Sequence, residues 1–122
     1  MTQAICAKSK IGVKDIQFEE IVSLDDDSLK RLGEVVGLIF LFRFRKADYE
    51  ADDRKPIVTR DSRIYFAKQT VHNACATQAI INILLNSLDR VQVGSVLSDF
   101  RSFTMAMPPD MRGDSIGQQE SI

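Results

Sequence analysis

Gln69-Thr70-Val71-His72-Asn73-Ala74-Cys75-Ala76-Thr77-Gln78-Ala79-Ile80-Ile81-Asn82-Ile83-Leu84-Leu85 decides how the chain is read. From Ala74 onward, apolar residues cover most of the circumference at 100° per residue, which predicts a core helix buried nearly all round. Asn73, a preferred N-cap, places Cys75 in the first turn of that helix. There the peptide dipoles and unpaired N–H groups favour a negative sulfur, the form that acts as a nucleophile. Gln69 lies six residues upstream of Cys75. Its neutral amide can donate without competing for the thiol proton. A strand and a tight turn into the helix would bring it beside the sulfur, where amide and Cys75 N–H together suit the oxyanion of an acyl-transfer intermediate. The same residues also fit a plainer reading: a small inert hydrophobe on a core helix, preceded by a surface glutamine.

Outward from this block, Ile16–Ile21 alternates imperfectly and predicts a brief edge strand. Ser23-Leu24-Asp25-Asp26-Asp27-Ser28 supplies acids where a helix start wants them, with Gly33 as the stop. The triple Asp lacks the alternating acids, Gly and terminal Glu of a calcium loop, so capping and solvation are the better reading. Val35–Phe42 is a continuous apolar run that predicts the central strand. Residues 46–63 lose periodicity, are dense in charge and contain Pro56, which reads as a solvated loop. Ile64–Ala67 predicts a second, shorter strand leading to Gln69. Val96–Met105, with Leu97, Phe100, Phe103 and Thr104, predicts an amphipathic helix packed on the Cys75 helix. Pro108-Pro109 blocks helix propagation, and 106–122 reads as a loose tail.

With 122 residues the chain is one domain's worth, and 44% hydrophobic with 27% charged residues excludes global disorder. A net charge of −1 leaves no basic surplus for nucleic acid. The longest apolar run is far short of the ~20 residues that cross a bilayer. No secretory signal opens the chain, so a reducing cytosol or nucleus is expected. Cys6 and Cys75 cannot build a multi-bridge framework, and the single histidine, His72, cannot supply a zinc cluster. No cofactor and no metal are expected.

The block from Gln69 to Ala79 resembles the active-site block of the ubiquitin C-terminal hydrolases, papain-like cysteine peptidases that carry Gln, three variable residues, then Asn-Ala/Ser-Cys. Cys75-Ala76-Thr77-Gln78-Ala79 resembles the proteasome-associated branch, as do Gly37–Phe42, Phe66–Gln69 and Gln17–Ile21. The similarity is best over 12–105. It implies an α+β, papain-like fold, an antiparallel sheet around a buried nucleophile helix, here as a single partial catalytic domain over 1–122. It also implies that Cys75 is the nucleophile and Gln69 the side-chain oxyanion donor of a deubiquitinase acting through a thioester, with ubiquitin conjugates and a proteasomal subunit as partners.

A cysteine peptidase also needs a base and a group that orients it. In the family these are a His and an Asp from strands well downstream, beyond Ile122. His72 stands three residues before Cys75 at a position that varies in the family, and fits an ordinary exposed turn residue. Met1–Lys10 lacks the Trp-containing opening block of the family. The chain alone is therefore expected to be inactive. Uncovered apolar faces on Val35–Phe42 and the Cys75 helix would suit a second function, a non-catalytic module binding ubiquitin or the proteasome. A third reading, a redox-sensing thiol, rests on the helix position of Cys75 alone.

Overall fold

A computed structural model describes residues 3–9, 16–55, 57 and 61–119. Three strands, β1 (Gln3–Ser9), β2 (Ile16–Ile21) and β3 (Val35–Leu41), form an antiparallel sheet in the order β2-β1-β3. The expected central strand is thus an edge of this sheet. Its centre is β1, a segment whose Ala, Ile and Cys residues give too short an alternation to stand out. Ala7, between Phe18 and Gly37 in the register, has no accessible surface. The β2 strand was expected, and it lies at an edge as read.

The five helices among the described residues follow local chemistry. The first, α1 (Asp26–Arg31), begins at Asp25, whose carboxylate accepts from Ser28 N at 2.8 Å and Ser28 Oγ at 2.8 Å. The Ser23 hydroxyl also donates to it, and these hydrogen bonds, Ser23 first, hold the Asp25 carboxyl at about 2. Asp25 therefore does the capping read from the sequence, with Asp26 and Asp27 in the first turn, and Gly33 at φ +71 ends the unit. A short α2 (Lys46–Glu50) interrupts the stretch expected to be a plain loop, with Arg45–Asp48 and Lys46–Glu50 pairs along its exposed flank. Pro56 lies outside the described residues.

Helix α3 (Cys75–Leu85) is not buried nearly all round as expected: Cys75, Ala76 and Thr77 are exposed, while Gln78, Ile81 and Leu85 are buried. Its sides meet three different neighbours. Ile83 packs on β3 at Gly37, where a Cβ would stand 2.7 Å from Ile83 Cγ2, so glycine is what lets sheet and helix approach. Ile81 and Leu85 join Tyr65, Ala67, Phe100 and Ile116 in the core, with Leu97 and Met105 packed beside them. The third stripe is polar. Gln78, Asn82 and Asn86, four residues apart, face residues 65–67, which were expected to be a strand and instead have no strand partner.

Those carboxamides do for residues 65–67 what a neighbouring strand would do. Asn86 Oδ1 accepts from Tyr65 N at 2.8 Å and Asn86 Nδ2 donates to Tyr65 O at 2.7 Å. Asn82 Oδ1 accepts from Ala67 N at 3.0 Å, and Ala67 O receives Gln78 Nε2 at 2.7 Å and Asn82 Nδ2 at 3.3 Å. Buried main-chain groups without partners are costly, so this ladder is what allows Tyr65 and Ala67 into the core.

Helix α4 (Gly94–Thr104) packs on α3 as expected, through Phe100 beside Ile81 and Leu85 and an Arg101 Nε bond to Leu85 O at 2.9 Å, but Phe103 is 72% exposed and takes no part. Thr104 Oγ1 donates to Phe100 O and lies 2.8 Å from Tyr65 Oη, closing the polar end of the core. The expected loose tail holds α5 (Pro109–Gln118) instead. Pro109 occupies the first helical position, where a missing N–H costs nothing, so the proline pair opens a helix after blocking one. Among the described residues, no helix is long and apolar enough to cross a membrane, and no group of three or more His, Cys, Asp or Glu is placed to hold a metal ion.

Two outcomes follow from this packing. Asn86→Ala removes both partners of the Tyr65 main chain and should cost roughly 1–3 kcal/mol in urea unfolding, whereas exposed Gln92→Ala should stay within about 0.5 kcal/mol. Equal effects would contradict the ladder. Burial pushes the Tyr65 phenol above its ordinary value, with the Thr104 bond working the other way. A raised native pKa stabilises the fold fully below the ordinary value near 10, and that contribution is lost as pH rises through the native value. The stability difference between wild type and Tyr65→Phe should therefore narrow above about pH 10; a difference that is constant from pH 8 to 11 would contradict it.

Candidate active site

The chain leaves the core at Ala67, runs without helix or strand through Lys68, Gln69 and Thr70, turns at 71–73 and enters α3 at Cys75. The turn is built differently from the sequence expectation. Asn73 is not the N-cap: it sits at φ +62, a left-handed conformation that Asn tolerates better than most residues with a Cβ. Ala74 takes the cap position, with Gln78 N donating to Ala74 O at 2.9 Å. Alanine has no side chain to cap with, and no side-chain hydrogen bond is made there. The first N–H groups of α3, that of Cys75 among them, have no intrahelical acceptor and are not covered by a capping side chain.

Cys75 is a free, exposed thiol as the first residue of α3. The inert core thiol of the plainer reading is therefore not what the fold presents. Gln69 is exposed as well, and its Nε2 donates to Val71 O at 3.0 Å, which folds the carboxamide over the turn that precedes Cys75. Gln69 and Cys75 thus flank one turn, each on the solvent side. His72 is exposed inside the turn. The chemistry available is that of a surface sulfur at a helix start, with main-chain N–H donors around it and a carboxamide close by in sequence.

Several residues that shape this region went unread in the sequence. Gln78, Asn82 and Asn86 hold the segment leading to Gln69, and their signal was available: three carboxamides at helical spacing inside an apolar run. Arg112 and Gly113 of α5 reach the same segment from the other side. Lys68 N donates to Pro109 O at 2.8 Å, and Arg112 Nη1 to Phe66 O at 3.1 Å. A glycine in the middle of a helix was the only trace of that contact.

Comparison with known proteins agrees with the family resemblance. The family model described as "Ubiquitin carboxyl-terminal hydrolase, family 1" matches residues 5–122. The chain is 40% identical over 112 residues to ubiquitin carboxyl-terminal hydrolase 2 of Schizosaccharomyces pombe, covering 92% of this chain and 37% of that protein. It is 46% identical over 114 residues to ubiquitin carboxyl-terminal hydrolase isozyme L5 of Dictyostelium discoideum, covering 93% and 32%. With ubiquitin carboxyl-terminal hydrolase ubh-4 of Caenorhabditis elegans it shares 40% over 112 residues, covering 91% and 33%. The chain thus spans about a third of the length of these relatives. The family implies a papain-like fold, and the three-stranded antiparallel sheet with its helices agrees with part of such a domain. From a free thiol at the head of α3 to the match across nearly all its residues, the chain belongs to the ubiquitin carboxyl-terminal hydrolases of family 1.

Proposed function

We propose that the protein carrying this chain is a thiol-dependent deubiquitinase, with Cys75 as nucleophile and Gln69 as oxyanion donor. The observation that carries the reading is the free, exposed Cys75 at the first position of α3 in a chain of this family. In the proposed reaction, Cys75 Sγ attacks the carbonyl carbon at the C-terminal glycine of ubiquitin. The oxyanion that forms accepts from Cys75 N–H and the Gln69 carboxamide, the leaving amine takes up a proton, and a thioester remains. Water then attacks the thioester, freeing the ubiquitin carboxylate and the thiol. The proton traffic needs a base and a group that orients it, and the resemblance assigns these to a His and an Asp downstream of Ile122. Ubiquitin conjugates are the proposed substrates, in the cytosol or nucleus, with a proteasomal subunit as the partner suggested by Cys75-Ala76-Thr77-Gln78-Ala79.

A second reading has its own observation. Leu38, Phe40, Phe42 and Phe44 are each more than 60% exposed along β3 and its extension, an apolar stripe suited to protein contact without chemistry. The two readings differ in what happens at the sulfur. Ubiquitin with an electrophilic C-terminus should form a covalent adduct with the complete protein, and Cys75→Ala should abolish it; an adduct surviving that substitution would contradict the assignment. Gln69→Ala should lower kcat by about 10²–10³-fold. The 122-residue chain by itself should show no turnover of a fluorogenic ubiquitin amide. Turnover by that chain would overturn the need for the downstream groups.

A further inference from the structure

The segment that carries Gln69 is backed by α5, and the contact is close enough to dictate residue type. A Cβ at Gly113 would stand 1.7 Å from Lys68 O and 2.9 Å from Lys68 C, inside any permissible contact. Only a residue without a side chain lets α5 lie there, even though glycine in a helix interior is intrinsically unfavourable. One turn on, a Cβ at Gly117 would meet Val71 Cγ2 at 2.5 Å, and Val71 O is the acceptor of the Gln69 carboxamide. Arg112, next to Gly113 in the chain, ties the same segment to the end of α4. Its guanidinium lies 4.8 Å over the Tyr65 ring, and it donates to Phe66 O at 3.1 Å, Thr104 O at 3.1 Å and Met105 O at 2.6 Å. The Lys68 N to Pro109 O bond completes the attachment.

We infer that Gly113, with Gly117 and Arg112, positions Gln69: α5 acts as a backstop that sets where the 68–71 backbone, and hence the oxyanion-donating carboxamide, stands relative to Cys75. These are positioning residues, since none of them touches the thiol or the scissile bond. The inference rests on the proposed role of Gln69. A side chain at Gly113 would have to push the Lys68 carbonyl back by more than about 1 Å to relieve the 1.7 Å contact, a displacement at least of the size that costs roughly 10²-fold when it moves a reacting group.

A double-mutant cycle in the complete protein, read with a fluorogenic ubiquitin C-terminal amide, tests this. Gly113→Ala should lower kcat by roughly tenfold or more with KM within about threefold, because transition-state stabilisation is lost and ubiquitin binding is not. In a Gln69→Ala background the same substitution should lower kcat by no more than about twofold, since nothing is left to misplace. Losses that multiply independently would overturn the proposal alone. An unchanged kcat for Gln69→Ala by itself would overturn the reading of Gln69, and this inference with it. The rate of Cys75 alkylation by iodoacetamide should match wild type in Gly113→Ala; slower alkylation would put the damage at the thiol and overturn the proposal. If Gly113→Ala no longer melts cooperatively, Gly117→Ala decides: its loss of kcat should be restored by adding Val71→Ala, which removes the opposing methyls, and failure to restore it would overturn the proposal.

Discussion

Three carboxamides on one stripe of α3 hold the rest of this structure in place. Gln78, Asn82 and Asn86 give Tyr65 and Ala67 the main-chain partners that a strand would otherwise have supplied. Because those groups are satisfied, the Tyr65 ring and the Ala67 methyl can be fully enclosed beside Ile81, Leu85, Phe100 and Ile116. Because the segment is pinned at its start, its continuation through Lys68 and Gln69 is aimed at the turn before Cys75. An apolar α3 of the same shape would bury more carbon and leave the segment with unpaired N–H and C=O groups.

The helix that carries the thiol therefore has a division of labour along its length. Its later turns are enclosed by the sheet at Gly37, by α4 and by residues 65–67, while its first turn stands in solvent. A buried stem and an exposed head suit the proposed role of Cys75, a nucleophile that must stay still and be reached. Asn73 contributes to this by taking the left-handed turn, which leaves Ala74 at the cap and the first N–H groups uncovered. An asparagine cap would instead have spent its side chain on one of those donors.

The sequence was legible where one local rule acted alone. The Asp25 cap, the Gly33 stop, the β3 apolar run and the amphipathic α4 each follow from spacing and residue type within a few positions, and each is present. Legibility failed where a distant partner decides the outcome. Ile64–Ala67 has strand composition, yet its partners are carboxamides on a helix, so no strand forms. Residues 3–9 form the middle strand, but their alternation is too short to stand out in the sequence, and the pairing with β2 and β3 decides it. Pro108-Pro109 stops α4 and starts α5, and only the packing of Gly113 on Lys68 makes the second half of that statement necessary. At the candidate site, spacing alone left Cys75 and Gln69 open to a plainer reading, and their proposed roles come from the family likeness. The residues that hold them could not be found by a search for chemically reactive types, since a carboxamide stripe and a helix glycine carry no chemistry of their own.

Native-state hydrogen exchange of the Tyr65 and Ala67 amides addresses the carboxamide ladder most directly. Both N–H groups donate to side chains of α3 and belong to no strand or helix, so their protection depends on that ladder alone. They should exchange as slowly as the amides in the middle of α3, because opening them requires the segment to lift from the helix. Exchange at the rate of an unprotected loop would mean that the segment is held by something else, and the account of how Gln69 is delivered to its turn would fall.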